Sequence, residues 1–170
     1  MDWKTMGKAN WKKWGRSFLS SLLLGGIGLI GSGCGYKTTS ENIYLTIRTP
    51  NYRISDQGFL NTTPTQKELI IYKEFTPYRI VIGKREVCEG EKCLSKRAFL
   101  KKVGLADYPP NILDQILEGK PLSFLPSPTS IDGGFIQQNQ RFLYKVGREV
   151  TLFKDREKKV VISLKRLGEK

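Results

Sequence analysis

The chain contains no histidine. That removes the commonest general base and the commonest metal ligand. Tryptophan is confined to the first 16 residues, as Trp3, Trp11 and Trp14, so the rest of the chain has none. Acidic residues are few, 16 against 29 Lys and Arg. Cysteine occurs three times, at Cys34, Cys88 and Cys93, and no pair has the C-x-x-C spacing of redox and zinc motifs. No G-x-S-x-G surrounds a serine. Asp132-Gly133-Gly134 lacks both the spacing and the Lys-Ser/Thr of a phosphate loop. No catalytic constellation and no metal site is assigned, and no cofactor is expected. The acids Asp114 and Glu118, spaced i,i+4, are expected to form the wet face of a helix rather than a catalytic pair.

At 170 residues the chain has room for one ordinary domain plus a targeting segment. Residues 1–16 are polar and basic, Ser17 to Ile30 are mostly apolar, and Gly31-Ser32-Gly33-Cys34 follows. Basic, apolar and small, in that order, is the layout of a secretory signal. The apolar stretch is shorter than the roughly 20 residues of a spanning helix and is interrupted by Gly25, Gly26 and Gly28. Ser32-Gly33-Cys34 resembles the lipobox of bacterial lipoproteins, in which the cysteine becomes the lipidated first residue of the mature chain. Gly31 departs from the leucine that family prefers. The resemblance implies a signal over 1–33, lipidation at Cys34 and membrane attachment through that lipid. Gly31 and Gly33 also suit ordinary signal peptidase, so a soluble periplasmic product is the first alternative and an uncleaved anchor the second. Gly35 stands where an aspartate would signal inner-membrane retention, which favours the periplasmic face of the outer membrane over the inner-membrane alternative.

With the signal removed, 24 basic and 15 acidic residues remain over 137 positions, a net +9. An anionic partner or surface would fit this excess, but the basic residues are dispersed along the sequence, as on a solvated surface, and no nucleic-acid partner is expected. Residues 34–42 are expected to be a tether and 43–170 a single β-rich domain. Ile43, Leu45 and Ile47 alternate, and so do Ile80 and Ile82. Phe142, Tyr144 and Val146 share one face, as do Val150 and Leu152, and Val160, Ile162 and Leu164. Glu68 to Phe75, Tyr78 to Val87 and Gly134 to Gln138 are further strand candidates. Two helices are predicted between the strand groups. The first covers Leu94 to Val103 with Leu94, Ala98 and Phe99 on its apolar face. The second covers Pro110 to Glu118 with Asn111 as cap and Gly119 as stop. Leu122 to Thr129 is a proline-broken loop whose Phe124 and Leu125 either tuck into the core or meet a membrane or partner.

Cys88-Glu89-Gly90-Glu91-Lys92-Cys93 permits a tight turn, and in an oxidising periplasm the two cysteines are expected to form a disulfide. A loop this small is worth about 2 kcal/mol on chain entropy. Together the elements predict an α+β fold, one curved antiparallel sheet with two short helices on its concave face.

The layout resembles the LolB-like outer-membrane lipoproteins. The match lies in a run of strands (Gly58-Phe59-Leu60, ELIIYKEF, YRIVIGKREV), then Tyr108 to Pro121, where a helix ends in Leu117-Glu118-Gly119-Lys120-Pro121. This chain is shorter than typical members. The resemblance implies an unclosed β-barrel whose hollow, helix-lidded face holds acyl chains. Its activity is acceptance of lipoproteins from a periplasmic carrier and their insertion into the outer membrane. The implied lining is Ile71, Ile80, Ile82, Ile116, Phe142, Tyr144, Leu152 and Ile162, unless these form a filled core. The competing expectation is a non-catalytic structural or assembly lipoprotein of an envelope complex.

Overall fold

The computed structural model describes residues 38–74 and 76–168. Cys34 and the signal segment lie outside the described residues. Six strands come first: β1 (Thr39–Arg48), β2 (Arg53–Thr62), β3 (Lys67–Lys73), β4 (Thr76–Ile82), β5 (Glu86–Glu89) and β6 (Lys92–Ser95). The helices α1 (Lys96–Lys102) and α2 (Ile112–Glu118) follow. The chain then completes β7 (Thr129–Ile131), β8 (Gly134–Gln138), β9 (Phe142–Val146), β10 (Val150–Asp155) and β11 (Val160–Arg166).

All 11 strands join one antiparallel sheet in the order β6-β5-β4-β3-β2-β1-β11-β10-β9-β8-β7. Each half is a meander of hairpins, and the halves meet where β1 pairs with β11, Leu45 opposite Leu164 and Ile47 opposite Ile162. The edges β6 and β7 do not pair, so the sheet is unclosed. The chain leaves one edge at β6 and re-enters at the other, so the segment bearing both helices must cross a face of the sheet. It crosses the apolar one. Ile43, Leu45, Leu69, Ile80, Ile162 and Leu164 point inward from the strands and are buried with Phe99, Leu100, Leu113 and Ile116 of the helices. Period-two alternation puts the remaining residues of each strand on the other, outer face.

Local chemistry sets the helix ends. Ser95 caps α1 by accepting from the Ala98 N–H at 3.3 Å. Helix α2 stops at Gly119, whose φ of 65° is left-handed, and the Lys120 N–H closes back on the Gln115 carbonyl at 2.9 Å. Asn111 occupies the cap position of α2 but makes no side-chain capping bond. Gly58 is required for a different reason. A Cβ there would stand 2.0 Å from the Ile70 carbonyl oxygen on the neighbouring strand.

Several expectations are corrected. Thr39 to Asn42, expected within the tether, pair with Thr62 to Phe59 as the first part of β1, and residues 34–37 lie outside the described residues. The run from Tyr78 to Val87 is two strands, broken at Gly83, whose N–H bonds the Glu86 carbonyl at 2.9 Å. Leu94 belongs to β6 and is exposed, and Ala98 is exposed too. The Ser95 cap starts the helix later than expected, so its inward face is Lys96, Phe99 and Leu100. Strand β7 has only three residues, too few for alternation to mark it in the sequence. In the proline-broken loop Leu122 and Leu125 are buried and Phe124 packs against the core. Gln137 holds that loop down. Its side chain accepts from the Leu122 N–H at 2.8 Å and donates to the Pro126 carbonyl at 2.7 Å.

Candidate functional site

The space between sheet and helices is chemically divided. Under β9 to β11 it is filled by rings. Phe153 lies 6.0 Å from Phe142 in a stacked arrangement and 5.7 Å from Tyr108 edge-on, and Phe124 closes on Phe142 at 5.6 Å. Under β1 to β4 it is aliphatic. There Leu45, Leu69, Ile80 and Ile82 face Phe99, Leu113, Ile116 and Leu117 across an apolar cavity of about 20 Å³. That is room for about one water molecule. Beside it a groove of about 310 Å³ opens where β2 runs beyond its pairing with β3, bounded by Ile54, Asp56, Ile71, Lys73 and Tyr78 together with the outward residues Arg53 and Ser55. Tyr52 lines both spaces.

Tyr52 belongs to a polar cluster at this mouth. Its hydroxyl lies 3.4 Å from the Tyr78 hydroxyl and donates to Glu89 at 3.4 Å. Glu89 also accepts from Tyr78 and from Lys102 of α1. Burial pushes the Glu89 carboxyl up, but the hydrogen bonds from Lys102 and Tyr78 and the Lys102 charge outweigh it, and its pKa falls below the usual range. Burial, and then the neighbouring Tyr78 and Glu89, raise the Tyr52 phenol well above its ordinary value. Burial also raises Tyr108 and Tyr144. These phenols stay protonated at neutral pH and are suited to hydrogen bonding rather than nucleophilic attack.

A second polar cluster ties the helices down. Lys67 of β3 and Lys96 of α1 are both buried. Lys67 reaches Glu118 at 2.5 Å and Asp114 at 3.5 Å, while Lys96 reaches the other Asp114 oxygen at 2.6 Å. Asp114 and Glu118 therefore join α2 to the sheet and to α1, with Glu118 still exposed on the wet face of the helix and Asp114 half-buried. Replacing Asp114 with Asn is expected to cost about 2 kcal/mol, because Lys96 loses its carboxylate while remaining under the helix. Urea unfolding checks the cost, and faster amide exchange in α2 than in β1 would locate it.

The eight expected lining residues are distributed unevenly. Ile80, Ile82, Ile116 and Ile162 line the cavity. Ile71 is buried and lines the groove. Tyr144 is fully buried and Phe142 packs against the core, both in the filled aromatic half. Leu152 is on the outer face. The register pairs Phe153 with Ile162 and Tyr144, so Phe153 is the inward residue of β10. The sequence Val150-Thr151-Leu152-Phe153 offers an apolar residue in either phase, and Asp155 made the correct phase look polar. Tyr52, Lys67 and Lys96 went unnoticed, because a loop tyrosine and two lysines carry no periodic signal.

Cys88 and Cys93 stand opposite each other in the β5–β6 hairpin and are joined by a disulfide. Its sulfurs are therefore not thiolate ligands, although the Glu86 carboxylate is close to them. The fold and site define a class, an unclosed antiparallel sheet whose apolar face is lidded by two short helices. No protein-family model and no characterised protein sequence matches this chain.

Proposed function

We propose that this chain is an exported protein anchored through lipidated Cys34, and that its domain binds the acyl chains of lipids or lipoproteins between sheet and helices. In this role it takes lipoproteins from a periplasmic carrier and aids their insertion into the outer membrane. The observation that carries the proposal is the aliphatic half of the interior, with an open groove of about 310 Å³ beside it that shares Tyr52 as a wall. Binding of this kind needs no reactive group, and no catalytic step is assigned. Each methylene transferred from water contributes about 0.8 kcal/mol, so ten contribute about 8 kcal/mol before costs. The cavity of about 20 Å³ does not accommodate such a chain. Entry requires Tyr52 to swing aside and the helices to lift, against the Glu89 cluster and the Lys67–Asp114–Lys96 ion pairs.

A fluorescent fatty acid and native mass spectrometry of gently purified protein test the proposal. Wild type is expected to bind the probe and to retain lipid. Leu113→Trp, which places an indole over the cavity from α2, is expected to weaken probe binding at least about tenfold while the chain still unfolds cooperatively. Absence of both probe binding and bound lipid would sink the proposal. The alternative is a structural or assembly lipoprotein of an envelope complex, and the small cavity volume favours it. That alternative requires a stoichiometric protein partner.

A further inference from the structure

The outer face of the sheet, away from the helices, has a one-sided charge pattern. From β8 through β9, β10, β11 and β1 to β2, the outward positions carry Arg48, Arg53, Lys145, Lys154 and Lys165, all exposed. No Asp or Glu occupies an outward position on those six strands. None of the five cations makes an ion pair among the described residues, whereas Lys67, Lys96, Lys102, Arg141 and Arg166 all do. The carboxylates of these strands, Glu41, Asp56 and Asp155, are on the inner side.

The register gathers residues that are far apart in sequence. Arg53 stands directly opposite Arg48, Arg48 opposite Val161, and Val161 opposite Lys154. At about 4.8 Å per strand, the Lys154 to Arg53 row covers about 14 Å. Like charges directly opposite across a sheet destabilise it, so the Arg48–Arg53 pair costs stability unless an anion lies over it. Between the cations are apolar side chains. Val150 and Tyr44 are each 37% exposed, with Leu143, Leu152 and Val161 half-buried beside them. A freely solvated face would mix both signs of charge and expose less hydrocarbon.

We propose that this outer face docks on a bilayer surface rich in anionic phospholipid. The cations would meet the headgroup phosphates, and the interleaved apolar side chains would enter the interfacial layer. The choice of a bilayer over another polyanion rests on the anchor reading in one respect. Cys34 precedes Thr39 by only five residues, a reach of at most about 18 Å, so an anchored bilayer lies close to β1. The aliphatic cavity lies on the opposite side of the sheet, and none of Lys145, Lys154 and Lys165 lines it or the groove, so either proposal can fail alone.

The test uses the full chain in proteoliposomes, which holds the domain at the bilayer whether lipid or signal provides the anchor. A dye is attached at Gln57→Cys, an exposed outward position of β2, and acrylamide quenching is measured. In vesicles of phosphatidylcholine with 30% phosphatidylglycerol, quenching is expected to fall relative to pure phosphatidylcholine. About 0.5 M salt is expected to restore it. K145Q/K154Q/K165Q is expected to lower the docked-to-undocked ratio about 100-fold, each lysine near an anionic surface being worth about a factor of five. K145R/K154R/K165R should dock as wild type. K84Q/R85Q/K92Q removes the same charge from other exposed positions and should also dock as wild type. Equal quenching in both vesicle types, or an equal loss from the two Gln triples, would overturn the proposal. Protection by a DNA duplex but not by phosphatidylglycerol would overturn it too.

Discussion

Replacing Cys34 with Ser is expected to move the protein from the membrane fraction to the soluble periplasmic fraction. A single acyl chain confers a membrane partition constant of about 10⁴ M⁻¹, and stable anchoring takes a second chain or a basic patch in addition. Loss of all acylation therefore removes the anchor, and little or none of the variant is expected in the membrane fraction. The fractionation must be done in high salt, because the five cations of the outer face could otherwise retain some protein on anionic lipid. Mass spectrometry of the wild-type N-terminus provides the second readout, a chain that begins at an acylated Cys34. A Cys34→Ser protein that stays with the membrane in high salt would mean that the apolar segment remains as an uncleaved anchor. A wild-type protein that is already soluble and unacylated would mean ordinary signal cleavage.

The second large effect is expected at Asp155. Its side chain has no exposed surface and receives the Arg141 guanidinium at 2.7 Å, the Tyr108 hydroxyl at 2.5 Å and the backbone N–H groups of Glu157 and Lys158 at 3.0 Å. One carboxylate thus joins β10, the β9 entry, the turn before β11 and the segment between the helices. Burial pushes its pKa up, but the bonds from Arg141, Tyr108 and Lys158 outweigh burial and hold it below the usual carboxylate range. Asp155→Ala is expected to lower stability by about 3 kcal/mol, because it leaves a buried phenol and a half-buried guanidinium without their acceptor. That is a large part of the 5–15 kcal/mol typical of a domain. The folded carboxyl titrates at lower pH than the unfolded one. Its contribution is therefore whole above about pH 4 and fades as pH falls through the folded value. Urea midpoints at pH 7 and pH 3 should converge between wild type and variant. A constant gap across that range would mean that the Asp155 charge contributes nothing.

Much of the sheet was legible from alternation alone. Ile43, Leu45 and Ile47, and likewise Val160, Ile162 and Leu164, announce an inward face because three aliphatic residues fall in one phase while the other phase is mostly polar. Helix α2 was legible from its spacing and from Gly119. The failures have physical causes. At Leu152 both phases are apolar, and the true one contains Asp155, whose burial is acceptable only because of partners 14 and 47 residues away. Lys67 and Lys96 are buried for the same reason. Their partners sit on another element, and no window of neighbouring residues contains them. The charge of the outer face was dispersed in sequence and became a patch only through the register of β10, β11, β1 and β2. The division of the interior into a ring-filled half and an aliphatic half depends on which hairpins lie side by side, and composition does not record that.

The pairing of β1 with β11 has a consequence for the order of events during synthesis and export. For a chain that crosses a membrane with its N-terminus leading, the central seam of the sheet needs residues 160–166 opposite residues 43–48. Glu41 and Arg166, which meet there, are 125 residues apart. The first six strands can form hairpins as they emerge, but β1 keeps a bare hydrogen-bonding edge until nearly all of the domain has passed. Such late, distant pairing slows folding and leaves that edge open to wrong partners meanwhile. Where transit begins before synthesis ends, it also keeps the finished sheet from assembling on the near side. A topology that is a kinetic handicap for a resident of the cytoplasm becomes, for a translocated chain, a built-in delay.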